Sequence, residues 1–478
     1  MNIKENRKIL ILLVFLIVLF MSLILYLSYF TIFEAADLKD HPANRRDAME
    51  QAAIKRGSIL DRNGEVLAYS EGEKYKYKRI YNYPIIYSHV VGYSSKILGR
   101  SGIEAKYNKY LLGEVGSPTL KAIKSFFNKK LDPDTGDNVI LTTDTPLQER
   151  ARDLLYKSGE SGAIIVMSPK TGQIYSMVSY PDINSQTIEK DAAAIVEQNN
   201  GAFYNRATQS RFPPGSTFKI VTATALLESD INQNYKDTGT EDLGGHPIKN
   251  AGENVYGNIN LNTAFTYSVN TYFANKAIEM GKDHLGEVAE KYMFNRKFDF
   301  DLNMNPSICN YKKWDKQALA SAGIGQADVL ATPLEMCMVA STVANGGKMM
   351  KPYLVSSVVS PDGSKVLTRE PEVLSEVMNE EQANKIRDMM VNVVNKGSGR
   401  EARLRKVQVA GKTGTAQKSV KDGTNDAWFV GFAPAKDPQV CVVVLLQNVK
   451  DYGGKVAAPI AADVIDYALK NMKEWVNV

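Results

Sequence analysis

The chain opens on an apolar stretch: from Ile9 to Phe33 no residue carries a charge. At about 1.5 Å per helical residue this run reaches ~37 Å, enough to cross a hydrocarbon core of ~30 Å with tilt. The pattern then turns polar. Residues 34–55, rich in Ala, Asp, Arg and Glu, predict a helical stalk. Asn63-Gly64 between apolar flanks predicts a hairpin whose two turn positions both need φ > 0. Residues 69–145 are Tyr- and Lys-rich and weakly periodic, which predicts a small mixed module ending near Asp144-Thr145-Pro146.

Further on, Gly162 to Met167 and Gln173 to Val178 predict paired strands joined by a turn over Ser168 to Gly172. A second pair is predicted from Ala427 to Phe432 and from Val440 to Leu446, connected through Pro434 to Pro438, and a closing helix from about Ala457 to Trp475. The pattern between the pairs is helical. Thr332-Pro333-Leu334-Glu335 starts one helix, with Thr at the N-cap, Pro at the first position and Glu reaching back. Asn345-Gly346-Gly347 ends it, and residues 380–396 form another amphipathic stretch. Strands at both ends with helices between predict one sheet assembled from distant segments, an α+β fold.

Composition narrows the function classes. A length of 478 residues suggests two or three domains, and 44% hydrophobic residues suffice for a core. The net charge of +5 is small and dispersed, which speaks against nucleic-acid binding. Cys309, Cys337 and Cys441 fit neither a disulfide framework nor a zinc spacing and are expected as small buried apolar residues. His41, His89, His246 and His284 are isolated, so neither a metal site nor a Ser-His-Asp triad is expected, and no cofactor is implied.

Lys4, Arg7 and Lys8 precede the apolar run, whereas Glu34, Asp37 and Asp40 follow it. The positive-inside rule then keeps the amino terminus in the cytoplasm and places everything after residue 34 outside. A cleaved signal peptide would have a shorter apolar region and a small-x-small site, and Glu34-Ala35-Ala36 is a poor one. The expected organisation is a cytoplasmic tail (1–8), a transmembrane anchor (9–33), an N-terminal module (34–149) and a main domain (150–478).

The candidate chemistry lies in three short motifs. Ser216 follows Pro213-Pro214-Gly215 and opens a helical run from Thr217 to Leu227. Three-residue spacing on a helix puts Lys219 one turn from Ser216, within reach of its hydroxyl. A serine needs a base to act as nucleophile, and a lysine kept neutral by burial or by a second cation can serve. Lys412 could be that cation. The helix start also offers backbone N–H groups to a developing oxyanion. By itself Ser-x-x-Lys reads as an N-cap serine with a solvated lysine. Ser268-Val269-Asn270 and Lys412-Thr413-Gly414-Thr415 are equally bland in isolation. Their order, and an apolar run from Val407 to Gly411 that reads as a strand before the third motif, make the combination informative.

This set resembles the penicillin-recognising serine acyltransferases over about residues 150–478. Within them the chain is similar to class B penicillin-binding proteins, in particular the shorter, PbpA-like members. Arg56 to Ala68 resembles that class's N-terminal signature, and Gly102-Ile103-Glu104 with Tyr110-Leu111 resembles a second element. Asn205-Arg206-Ala207 ahead of the Ser216 motif also fits. Taken alone, Asp61 and Arg62 read as turn-flanking surface residues.

The resemblance implies peptidoglycan D,D-transpeptidation. Ser216 would attack the D-Ala–D-Ala carbonyl of a stem peptide, and Lys219 would take its proton. Ser268 would relay a proton to the leaving amine, positioned with Lys412, while Asn270 would bind the substrate amide and help hold Lys219. Thr413 and Thr415 would bind the terminal carboxylate, and the N–H groups of Ser216 and Thr415 would form the oxyanion hole. The acyl group would pass to a neighbouring stem's amine, and β-lactams would acylate Ser216. Thr413 stands where many relatives have serine, a minor departure because both carry a hydroxyl. The resemblance also implies a SEDS-type glycan polymerase as membrane partner.

Trp428 and Phe429 are expected in the core, and Gly323-Ile324-Gly325-Gln326 as a structural turn. A D,D-carboxypeptidase or β-lactamase on the same fold is the rival enzyme; the anchor and N-terminal module argue against a free-standing β-lactamase. A β-lactam sensor would need a cytoplasmic signalling part, for which about eight residues before the anchor are too few. A non-catalytic scaffold for a cell-wall polymerase is the alternative outside enzymology.

Overall fold

The computed structural model describes residues 3–29, 46–115, 134–243, 247–419 and 422–471. The chain divides into two units, Met1–Lys55 with Gly72–Tyr77, and Arg56–Glu71 with Lys78–Val478. The first contains the helix Ile3–Tyr29, whose window Leu10–Leu27 has a mean hydropathy of 3.2 and is open on all sides. It also contains Arg46–Ala53, the described part of the expected stalk. Residues 30–45, where the apolar run ends and the stalk begins, lie outside the described residues.

The larger unit is built on a five-stranded antiparallel sheet in the order Ala410–Ser419, Thr424–Ala433, Val440–Val449, Gly162–Met167, Ile174–Tyr180. Both predicted pairs are present, and Val440–Val449 joins them by pairing with Gly162–Met167. The central strands are apolar at successive positions because both faces are covered. Period-two alternation sorts their side chains. Ile164, Val166, Val442, Val444 and Leu446 pack with Leu147, Ala151 and Leu155 of the helix Thr145–Lys157 and with Ala457, Ala461 and Val464 of Gly453–Asn471. Ala163, Ile165, Met167, Cys441, Val443 and Leu445 face the opposite core, with Leu334, Met338 and Val339 of Pro333–Ala344. The fold is α+β, and the last helix is described to Asn471.

A six-stranded sheet forms the N-terminal module, in the order Lys365–Thr368, Val355–Val359, Asn138–Leu141, Ile59–Leu60, Val66–Glu71, Lys78–Tyr81. Two of its strands come from beyond residue 350, so the sheet runs across the boundary expected at 149/150. Arg56 and Glu104, from the two N-terminal motif elements, meet there. Glu104 is fully buried and accepts from Arg56 Nε at 2.5 Å and Arg79 Nε at 2.6 Å.

Four local expectations are corrected. The hairpin at Asn63-Gly64 forms, but only Gly64 has positive φ, at 85°. Asp61 sets the turn instead: its Oδ1 accepts from the amides of Asn63 and Glu65. Asp61 is 1% exposed, not a surface residue, and its Oδ2 accepts from the amide and hydroxyl of Thr145. Arg62 likewise lies over the Tyr175 ring, 4.9 Å from its centroid. Thr332 caps its helix by accepting from the Glu335 amide, yet Glu335 does not reach back. Its carboxyl is buried, its Oε1 has no hydrogen-bond partner among the described residues, and burial pushes its pKa up to about 8. The three cysteines are buried and free, as expected, although Cys337 and Cys441 are neighbours, with Cys441 Sγ 3.4 Å from the Cys337 carbonyl.

Candidate active site

Ser216 sits on a 3₁₀ turn, Gly215–Phe218, which continues into the α-helix Lys219–Glu228. The turn is fixed from three sides. The Gly215 amide donates to the Gly325 carbonyl at 2.9 Å, so the expected structural turn at 323–326 supports the nucleophile. Trp428 Nε1 donates to the Pro213 carbonyl at 3.0 Å, and both Trp428 and Phe429 are fully buried, as expected for core. The third support is the edge strand Ala410–Ser419. A Cβ on Gly414 would meet the Pro214 carbonyl at 2.8 Å, so glycine there permits the close approach. The Lys-Thr-Gly-Thr motif lies on this strand rather than after it, because the strand begins only at Ala410.

Ser268 ends the helix Leu261–Tyr267 in the left-handed region, at φ 60°, and Asn270 starts the next, Asn270–Met280. A non-glycine residue held there costs of order 1–3 kcal/mol, a strain found mainly at functional positions. The bend aims three oxygens at one amine. Lys219 Nζ donates to the Ser268 carbonyl at 2.8 Å, to Ser268 Oγ at 3.1 Å and to Asn270 Oδ1 at 2.7 Å. From the other side Lys412 Nζ donates to Ser268 Oγ at 3.0 Å. Asn270 Nδ2 is held by the Lys249 carbonyl at 2.9 Å.

Lys219 and Lys412 are fully buried, whereas Ser216, Ser268, Asn270 and Thr415 are half-buried and open outward. Burial first, and then the nearby Lys412 charge, push the Lys219 pKa well below the usual lysine range. Burial also brings Lys412 down to about 7. Neither lysine has a carboxylate partner among the described residues, so no counter-charge holds either one in its ammonium form. A Lys219–Ser268–Lys412 chain of this kind can carry protons near neutral pH.

Two expectations need adjustment. No hydrogen bond joins Lys219 to the Ser216 hydroxyl; its amine is drawn to the oxygens of 268–270, which its helix position also reaches. Thr413 and Thr415 already have partners within the fold. Thr413 Oγ1 lies 2.5 Å from Ser398 Oγ, and Thr415 Oγ1 accepts from the Gly453 amide at 3.2 Å. Sequence reasoning missed Ser398, whose only signal is a serine between glycines after the helix Glu380–Asn395.

A Ser-x-x-Lys turn, a Ser-x-Asn bend and a Lys-Thr-Gly-Thr edge strand around a carboxylate-free lysine pair define a serine acyltransferase of the penicillin-recognising class. Comparison with known proteins makes this specific. The penicillin binding protein transpeptidase domain matches residues 162–466, and the penicillin binding protein A dimerisation domain matches residues 56–139. The chain belongs to the penicillin-binding protein transpeptidase family. It is 31% identical to the peptidoglycan D,D-transpeptidase PbpA of Mycobacterium tuberculosis over 95% of this chain and 96% of that one. Against PbpA of Mycolicibacterium smegmatis the identity is 30%, over 92% and 94%. The structure of M. tuberculosis penicillin-binding protein A as a ceftriaxone acyl-enzyme superposes with a TM-score of 0.82 at 29% identity, covering 88% of this chain and 100% of that one. A D,D-transpeptidase domain from Eggerthella lenta gives 0.78 at 35%, with the same coverage.

Proposed function

We propose that this chain is a peptidoglycan D,D-transpeptidase acting through Ser216. The observation that carries the reading is the Lys219–Ser268–Lys412 chain beside the Ser216 turn, in a family whose similar members are D,D-transpeptidases. Neutral Lys219 takes the Ser216 proton as Oγ bonds to the carbonyl carbon of the terminal D-Ala–D-Ala amide. The N–H groups of Ser216 and Thr415 stabilise the oxyanion. Collapse breaks the C–N bond, and the proton passes through Ser268, flanked by Lys412, to the departing D-alanine. An amine on a second stem then attacks the ester, returns a proton by the same route and frees Ser216. Asn270 orients the donor amide, while Thr413 and Thr415 receive the terminal carboxylate. β-Lactams enter at the same carbonyl position and leave Ser216 acylated, which the acyl-enzyme structures of M. tuberculosis penicillin-binding protein A support.

The helix Ile3–Tyr29 serves as a single-pass anchor with residues 1–8 cytoplasmic and the catalytic unit outside, supported by the charge asymmetry around it. The division into an anchor over 9–33, a module over 34–149 and a catalytic domain over 150–478 goes with this reading, with Val355–Val359 and Lys365–Thr368 lent to the module's sheet. A SEDS-type polymerase partner rests on the family likeness. The test is a donor pentapeptide ending in D-Ala–D-Ala with an acceptor amine: D-alanine release matched by cross-linked product, both lost in Ser216→Ala, is the expected result. Release without cross-linking at saturating acceptor would turn the reading to a carboxypeptidase.

A further inference from the structure

We infer that Phe265 and Phe273 are positioning residues, an aromatic floor on which each of the two buried lysines rests its amine over one ring face. The inference rests on the transpeptidase reading and concerns how that site keeps its lysines usable. Phe265 lies three residues before Ser268 and Phe273 three after Asn270, on the two helices that meet at the left-handed bend. Both rings are fully buried. Lys412 Nζ stands 5.6 Å from the Phe265 ring centroid and Lys219 Nζ 5.3 Å from that of Phe273. The rings meet edge-to-face at 6.2 Å.

Buried aromatics beside a motif are ordinarily just core. Here each ring lies under a different lysine, and no carboxylate partners either one. Any apolar side chain would exclude water and so disfavour the ammonium form. A ring also presents the negative face of its quadrupole, which attracts a cation within ~6 Å. The floor therefore keeps the site dry while lowering the cost of charging Lys219 at the moment it receives the Ser216 proton.

Among the described residues, the charged side chains of the neighbouring elements are paired with one another, hydrogen-bonded elsewhere or exposed. Leu261–Tyr267 has none. Lys276 is paired with Glu279, Glu228 with Lys291, Glu381 with Lys385 and Arg387 with Asp388. Asp237 is occupied by Thr271, Asn250 and the amides of Gly239 and Tyr256. Lys418, further along the edge strand, is exposed. The charge that Lys219 feels is Lys412, while burial alone shifts Lys412.

The test uses the full chain in detergent with ¹³C-labelled lysine, the Lys219 and Lys412 signals assigned by their loss in the Lys→Met variants. Phe265 and Phe273 are each replaced by leucine and, separately, by pentafluorophenylalanine, which keeps the ring's outline and reverses its quadrupole. Both replacements at 273 should lower the Lys219 titration midpoint by about one pH unit and move Lys412 less, with the pattern crossed at 265. The acid limb of penicillin acylation should follow Lys219 downward, since the neutral base would then persist to lower pH.

Unmoved lysines, or both lysines shifting equally in every variant, would overturn the floor and leave only packing. So would a fluorinated ring that keeps the natural midpoint; it decides alone if a leucine variant fails to fold. Crossed lysine shifts in the variants, together with a wild-type protein that penicillin never acylates, would refute the transpeptidase reading and leave the floor standing.

Discussion

The molecule buries two clusters of charged side chains and treats them in opposite ways. In the N-terminal module Glu104 lies between Arg56 and Arg79, with bonds of 2.5 and 2.6 Å. Burial pushes the Glu104 pKa up, but the two guanidiniums override it and hold the carboxyl below its usual range. The carboxyl stays ionised. At the active site Lys219 and Lys412 are buried as deeply, but their partners are a hydroxyl, carbonyl oxygens and an amide. Without a counter-charge both fall toward neutrality. Burial alone makes neither structure nor reactivity; the presence or absence of an opposite charge decides which.

The comparison breaks most sharply at Lys219. Lys219→Met removes the base and should slow acylation up to ~10⁴-fold, read as adduct formation by mass. It should leave thermal stability unchanged or raised, because a buried amine is replaced by an apolar chain of similar length. Glu104→Gln should do the reverse. It strands two buried guanidiniums and should cost about 3–5 kcal/mol in urea unfolding, while the protein that remains folded acylates normally. The Glu104 contribution, coming from a depressed pKa, is present above the unfolded value and is lost as pH falls through the folded one.

Glu335 offers an intermediate case, a buried carboxyl with neither counter-charge nor reaction. Its pKa is raised from 4.5 to about 8, so the folded state binds more protons than the unfolded one. Stability should therefore fall as pH rises from 4.5 to about 8 and then level off, by roughly 1.4 kcal/mol per pH unit at most. Glu335→Gln should flatten that slope in unfolding measured from pH 5 to 8. The smallest effect is expected at Ser398. Ser398→Ala leaves the Thr413 hydroxyl without its 2.5 Å partner and should weaken acylation roughly fivefold through binding, with Ser398→Thr restoring it.

Much of this was legible in the sequence because it rests on short-range pattern. Unbroken apolar runs announced the central strands, and Thr332-Pro333 announced its helix. The order of three motifs announced the site, and the structure brings Ser268, Asn270 and both lysines together as expected. Long-range pairing was not legible. Nothing local to Val355–Val359 says that it completes a sheet begun at Ile59, and nothing about Asp61 shows that Thr145 will bury it. A side chain's partner across the fold also has no local signature, which is why Ser398 and the two phenylalanines were invisible. The positive φ expected at Asn63 is missing for a nearer reason: the Asp61 carboxylate takes the amides of Asn63 and Glu65 and sets the turn.

The most direct test is the rate at which benzylpenicillin adds to the full chain between pH 5 and 8, followed by intact mass and mapped by peptide digestion. The account predicts one adduct, on Ser216 and absent from Ser216→Ala, forming faster as pH rises through the range where the buried lysines lose their protons. An adduct on another residue, or a rate on Ser216 that does not change with pH across that range, would contradict it.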